Sequence, residues 1–389
     1  MVKRKKVSGG NLIDLRKSNK KEILKLLCAN GSLCCSDIAR KINLSVGGTA
    51  NITDEMIAAG MLEKTDAEYV VRGRRPYMLR INAQVGVVAA VIVKKKITLT
   101  ICDFAGKELY NIDLSYEKLT ADVFSSVIEL LKNYLSESGK RLYAISVGMG
   151  GKINKYTGEF IYAPSIQNSR DVNLKKMFGE TFAVPVCINT NVVFEIIAEK
   201  RYNSDVDIYN TLFVDDLGCA MFINGELFTG QHGFAGELGL LDIDVYGETL
   251  AKYNKGLDEY RAHYFMSPYI GLFAKENFGS ESNAEAYRRG DAETVRKFNG
   301  FFDIYSRTLR NIVEFMDFGN VIIHGEVASF GKEAIQYIEN ELVDSKFGRL
   351  DVKVYPSVLG ADAALKGAIL SAMEESFEEF VEEPLCSSK

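Results

Sequence analysis

No apolar run in this chain reaches the roughly 18 residues that a membrane-spanning helix needs. The basic start, MVKRKKVSGG, has no apolar stretch behind it that would make it a secretory signal. A cytoplasmic protein with no membrane partner is therefore expected. Histidine is scarce, with three residues, and the seven cysteines (Cys28, Cys34, Cys35, Cys102, Cys187, Cys219 and Cys386) form no C-x-x-C pair. An odd, scattered set of thiols argues against a disulfide framework and fits reduced, core-packed side chains. It also leaves no ligand spacing for zinc, so neither a metal nor a cofactor is expected. Phe and Tyr are plentiful, at 22 and 19, but no aromatic stretch interleaves with basic residues as a single-strand stacking platform would.

What is there begins with a division of charge. The chain of 389 residues carries a net charge of −5, but residues 1–80 hold 16 Lys/Arg against 8 Asp/Glu and the remainder holds 31 against 44. A basic module on an acidic body points to a polyanionic partner for the module. At this length two or three domains with sizeable cores are expected.

The basic module has its own pattern. Between Asn11 and Asn30, Leu12, Leu15, Ile23, Leu24, Leu26 and Leu27 recur at helical spacing, and Gly31 closes the helix. Ser36 is placed to cap a short helix over 37–42, with Asp37 in its first turn. After a turn at Asn43-Leu44, Ser45 opens a third helix, with Ile52, Met56 and Ile57 on one face, which stops at Gly60. Met61–Glu63 and Tyr69–Val71 read as two short strands. Three helices and a two-stranded wing make a winged helix-turn-helix, whose later helix enters the major groove of double-stranded DNA. Ser45, Thr49 and Asn51 are its expected phosphate- and base-contacting residues, being short hydrogen-bonding side chains. Arg72-Gly73-Arg74-Arg75-Pro76 follows the wing, and Arg72, Arg74 and Arg75 suit a narrow minor groove, where the negative potential is strongest.

Beyond Arg80 the apolar period changes to two. Val85–Val93 and Ile97–Cys102 form a hairpin about Lys94-Lys95-Lys96. Further strands are expected at Leu142–Val147, Val186–Asn189, Leu212–Val214, Ala220–Ile223, Val321–Ile323 and Val352–Tyr355. Helices are expected at Ala121–Leu135, Val192–Arg201, Phe301–Phe315, Lys332–Leu342 and Ala361–Met373. The acidic stretch Glu374–Glu383 reads as a solvated helix face. Alternating elements of this kind make an α/β protein with two sheets.

The segments LSVGGTANITDEMIAAGMLE, VRGRRP, VGMGGKIN, VPVCINTN, FINGELFTGQHGFAGELG and LGADAALKGA occur in the order found in the ROK family of repressors, open reading frames and sugar kinases. The chain resembles its repressor branch. The resemblance implies a winged helix-turn-helix over 1–80 and a two-lobed actin-like (ribonuclease H-like) ATPase fold. In that fold lobe 1 spans 81–195, lobe 2 spans 196–356, and a C-terminal helix over 357–389 returns to lobe 1. A homodimer or homotetramer is expected.

Kinase chemistry can be checked position by position. The family's catalytic Asp falls on Asn191, and an amide cannot accept the sugar hydroxyl's proton, which removes a contribution of about 10²–10⁴-fold. The first phosphate turn reads Val93-Lys94-Lys95-Lys96. The second falls on Val214-Asp215-Asp216, whose carboxylates repel phosphates unless a metal intervenes. The glycine triplet near the adenosine reads His324-Gly325-Glu326. No catalytic residue is therefore expected. The family's sugar-binding residues map to Ser165, Thr190, Asn191 and Glu237, with Leu240 where a metal-ligating His would stand. Gln167, Asn168 and His232 could complete a remodelled polar set. Glu237 in Gly236-Glu237-Leu238-Gly239 is retained, either as a ligand group or as a brace for its turn. Three readings follow: a repressor with a sugar-like effector, an active carbohydrate kinase with an accessory module, and a ligand-free architectural DNA binder.

Overall fold

The computed structural model describes residues 12–65, 77–162, 166, 172–215, 218–238, 241, 277, 281–345 and 348–382. Its N-terminal module opens with α1 (Leu12–Asn30), which buries Ile23, Leu24 and Leu27. A short strand β1 (Leu33–Cys34) runs directly into α2 (Cys35–Ile42). The cap of α2 is therefore Cys34 rather than Ser36. Pairing in the sheet keeps Cys34 extended, so the helix starts immediately after it, and the Cys34 thiol donates to the Asp37 carboxylate at 3.1 Å. Asn43 turns the chain in the left-handed region (φ 61°), and Ser45 caps α3 (Val46–Ala58) by accepting the Gly48 N–H at 3.1 Å.

The wing differs from the sequence reading. β2 (Leu62–Thr65) pairs antiparallel with β3 (Met78–Ile81), whose other side takes β1. Glu63 and Arg80 sit opposite each other in this register and join through a 2.6 Å ion pair. The strand expected at Tyr69–Val71 lies outside the described residues. Because Thr65 pairs with Met78, residues 72–76 fall in sequence between two paired strands.

The body starts with an antiparallel meander: β4 (Val87–Val93), β5 (Ile97–Asp103) and β6 (Glu108–Leu114). α4 (Ala121–Ser138) leads to β7 (Leu142–Met149), parallel to β4, and α5 (Leu174–Phe182) leads to β8 (Val186–Thr190) on the far side of β7. Every residue of β4 and β7 is buried, as expected of central strands covered on both faces.

A second sheet repeats this plan. α6 (Asn191–Tyr202) precedes the antiparallel strands β9 (Thr211–Asp215), β10 (Gly218–Ile223) and β11 (Glu226–Phe228). After α7 (Glu281–Arg288) and α8 (Ala292–Met316), β12 (Asn320–His324) adds parallel to β9. The short α9 (Gly325–Ser329) and α10 (Lys332–Val343) then lead to β13 (Lys353–Pro356), parallel to β12. Side chains alternate between the two faces with the strand period. Leu212, Val214, Val321 and Ile323 share a core with Phe298, Phe302 and Ile338. Phe213 and Ile322 instead pack with Val192, Val193 and Ile196 of α6. The fully buried Glu199 of α6 has its oxygens occupied by Ser357 Oγ, the Val358 N–H and Asn203 Nδ2, at 2.7–3.1 Å, which offsets its desolvation.

Two compact units result. One comprises Met1–Gly151, Thr157–Asn189 and Ala368–Lys389, and the other Lys152–Tyr156 and Thr190–Gly367. The winged module is not a separate packing unit, because one core joins it to the body. Ile23, Leu24, Leu27, Ile38 and Met56 of the module cluster with Phe104, Tyr143, Ala372, Phe377 and Phe380. The last three come from α11 (Ala363–Glu382), so the acidic C-terminal stretch is more than a solvated face. Phe380 stacks on Phe104 at 5.2 Å and meets Tyr143 edge-on, Glu379 pairs with Arg141 at 2.7 Å, and Glu378 pairs with Lys21 of α1.

Candidate nucleic-acid interface and effector site

The exposed start of α3 presents Ser45, Val46, Gly47 and Asn51 to solvent. Val46 is 55% exposed and Ser45 spends its hydroxyl on the helix cap. Asn51, expected at a base edge, is exposed as well. Thr49 is not part of this surface. It is fully buried, on the same side of the helix as Ile52, Thr53 and Met56, and its correction follows from the helical period. Arg16 and Lys20 of α1 both reach the Glu55 carboxylate at 2.8 Å. These bonds, the one from Lys20 foremost, hold Glu55 below the usual carboxylate range. Two basic side chains of α1 thus brace α3. Arg72, Arg74 and Arg75 lie outside the described residues.

Of the expected effector residues, Ser165 also lies outside the described set, as do Gln167, Asn168 and Leu240. Thr190 ends β8 and caps α6, and Asn191 is the first residue of that helix; both are half-buried. Glu237 follows Gly236, whose φ of 102° and tight seat against the Cys219 carbonyl oxygen leave no room for a Cβ. The Gly236 carbonyl in turn accepts the Cys219 N–H at 3.0 Å, so the turn is clamped onto β10. Desolvation raises the Glu237 carboxyl above its usual range, and the Lys152 ammonium pulls in the opposite direction. Lys152 also lies over the Phe234 ring at 4.9 Å, and His232 stands beside that ring at 6.0 Å. Lys155 donates to Thr229 at 2.6 Å. A carboxylate, two ammonium groups, a hydroxyl, an imidazole and a ring therefore gather around this turn and the Lys152–Lys155 segment.

The positions expected to deter a nucleotide fall as follows. Lys96 in the first turn is engaged by Asp113, which also accepts from Thr98 at 2.7 Å. Asp215 ends β9 directly beside His324 at the end of the parallel β12. Asp216 lies outside the described residues. Sequence reasoning missed the partner of these two groups, Glu195 of α6. The ligating atoms of Glu195, Asp215 and His324 all lie within 4.8 Å of one another. The available signal was an acid inside the otherwise apolar run Val192-Val193-Phe194-Glu195-Ile196-Ile197.

A winged-helix reader built onto a duplicated α/β body of the sugar-kinase kind is the class these parts define. The chain belongs to the ROK family, whose model matches residues 91–375, and a model described as winged helix-turn-helix DNA-binding matches residues 16–63. The xylose repressor of Caldicellulosiruptor bescii is 25% identical over 257 residues, so the match spans 64% of this chain and just under two thirds, 64%, of that relative. The xylose repressor of Bacillus spizizenii is 22% identical over 364 residues, covering 91% of this chain and 94% of its own length. Among solved structures, a ROK family transcriptional regulator described as a homologue of the E. coli MLC protein superposes over 95% of this chain and 100% of its own, with a TM-score of 0.71 at 18% identity. That likeness establishes the shared fold.

Proposed function

We propose that this chain is a cytoplasmic DNA-binding transcriptional repressor whose kinase-like body senses a sugar or sugar derivative and carries out no phosphoryl transfer. The observation that carries the reading is the exposed N-terminal tip of α3, next to a wing whose paired strands are joined by an arginine-rich connection. The relatives named as xylose repressors support the same function. Asn51 reads a base edge in the major groove, while Arg72, Arg74 and Arg75 reach the adjacent minor groove. Two copies in a homodimer, or a dimer of dimers, engage two half-sites about one helical turn or a multiple apart. Thr190, Asn191 and Glu237 contribute to the effector site. Asn191 in place of a carboxylate base supports catalytic silence.

The test begins with selection of bound duplexes from a random double-stranded library by the full-length protein. Fluorescence anisotropy on the selected duplex then follows, with and without xylose, glucose, N-acetylglucosamine and their phosphates. Specific affinity in the range of about 10⁻⁸ M or tighter, weakened by one of these compounds, is the expected result. A library that yields no enriched sequence would sink the DNA-binding reading. ATP-dependent turnover of any of the sugars would sink the claim of catalytic silence. Binding unaffected by every compound would leave a ligand-free DNA binder in place of a sensor.

A further inference from the structure

We propose that Glu195, Asp215 and His324 form a binding site for a divalent transition-metal ion, with zinc the ion that the donor set fits best. The site lies within one compact unit and is assembled from three elements. Parallel pairing of β9 with β12 sets Asp215 and His324 side by side at the carboxyl ends of two neighbouring strands, the edge of an α/β sheet where ligands collect. α6 packs on this sheet through Val192, Val193 and Ile196 against Phe213 and Ile322, and the same helix delivers Glu195.

Chemistry and burial then argue for a cation. Glu195 is fully buried and His324 is 7% exposed. Two carboxylates whose oxygens approach within 4.8 Å repel each other strongly in a medium of reduced dielectric. A divalent ion satisfies both charges and takes the neutral imidazole as a third donor. Imidazole with carboxylates suits zinc, manganese or iron, whereas magnesium and calcium favour all-oxygen sets. The His324 ring is held against the Phe213 ring, 5.8 Å between centroids and 28° between planes, which limits its rotation and presents the donor in a fixed direction. Three protein donors leave a fourth, tetrahedral position for water. The ion would pin α6, whose first residue is Asn191, to the ends of β9 and β12.

The experiment uses the full-length protein, stripped with dipicolinate and dialysed. It is then titrated with Zn²⁺, Mn²⁺ and Mg²⁺ while bound metal is counted by mass spectrometry and unfolding is followed by thermal shift. One equivalent of zinc per chain, a raised melting temperature and no comparable response to magnesium are expected. Cobalt substitution should give visible d–d absorption. Glu195→Gln, Asp215→Asn and His324→Gln should each weaken zinc by at least about 100-fold, the upper end of what even outer-shell changes cost. A His232→Gln control should bind as the wild type does. Far-UV circular dichroism confirms that each variant is folded, and the wild-type stoichiometry stands even where a variant is not. Wild-type protein that takes up no stoichiometric zinc or manganese would overturn the proposal. So would a folded His324→Gln chain that keeps full zinc affinity, since the ion would then sit elsewhere. Neither result depends on DNA or sugar binding, so this site can fail while the repressor reading stands.

Discussion

Glu237 carries a carboxyl where ionisation is disfavoured. Burial raises its pKa and Lys152 compensates only in part. An acid whose folded-state pKa exceeds its unfolded value binds protons more readily when folded, so its contribution to stability falls as pH rises through that raised value. Glu237→Gln removes the charge at nearly constant shape. The variant should therefore melt no lower than the wild type at neutral pH, and any advantage should vanish below the carboxylate range, where the wild-type group is protonated too. A residue that merely braced its turn would instead lower the melting temperature of the variant at every pH. If Glu237 accepts from a sugar hydroxyl, the same variant also loses the sugar-induced thermal shift. Its neighbour gives the opposite expectation. Gly236 has no space for a methyl group against the Cys219 carbonyl and holds a φ that other residues avoid. Gly236→Ala should therefore cost about 3 kcal/mol or more, measured by urea denaturation.

The recognition helix shows how an element assigns different duties to similar side chains. Thr49 and Asn51 stand two residues apart, roughly 200° around a helix. Asn51 faces solvent. Thr49 is buried, and among the described residues its hydroxyl has no hydrogen-bond partner. An unsatisfied buried hydroxyl is a liability, so Thr49→Val should be neutral or stabilising by about 1 kcal/mol and should leave DNA affinity unchanged. Asn51→Ala should instead weaken specific binding by about 1–3 kcal/mol and relax the preference at one base pair. Anisotropy on the selected duplex checks both, and loss of affinity in the valine variant would return Thr49 to the interface. The apolar period already contained this answer, since Thr49, Ile52, Thr53 and Met56 repeat at spacings of three and four. Reading by side-chain chemistry instead of by period put Thr49 on the wrong face. Elements with long uninterrupted patterns, such as β4, β5, α4 and α10, were legible from sequence. The two-residue β1 and the return strand β3 were not, because a long-range register defines them rather than any local preference. The same holds for Glu195, Asp215 and His324, which only strand pairing and helix packing bring together.

At the scale of the whole molecule, the shared core changes what coupling between reader and body requires. A module tethered by a flexible linker could be regulated only through effective concentration, whereas this one packs directly on α11. α11 begins in the unit that holds Asn191 and Glu237, and from Ala368 onward it belongs to the unit that holds the winged module. A ligand that shifts the position of α11 therefore acts on α1 through packed side chains, and DNA must in turn alter ligand affinity by the same factor. Phe380 is the contact to test. It is 1% exposed and meets both Phe104 and Tyr143 within the core that contains Ile23 and Leu24. Phe380→Ala should cost about 3–5 kcal/mol through lost burial and the cavity left behind. Hydrogen exchange should then show protection falling together in α1, β5 and α11, because one cooperative core covers all three, while β9 and β12 keep theirs. If α1 instead retained wild-type protection in this variant, the winged module would be folding on its own, and a sugar signal would have to reach the DNA by a route that does not involve α11.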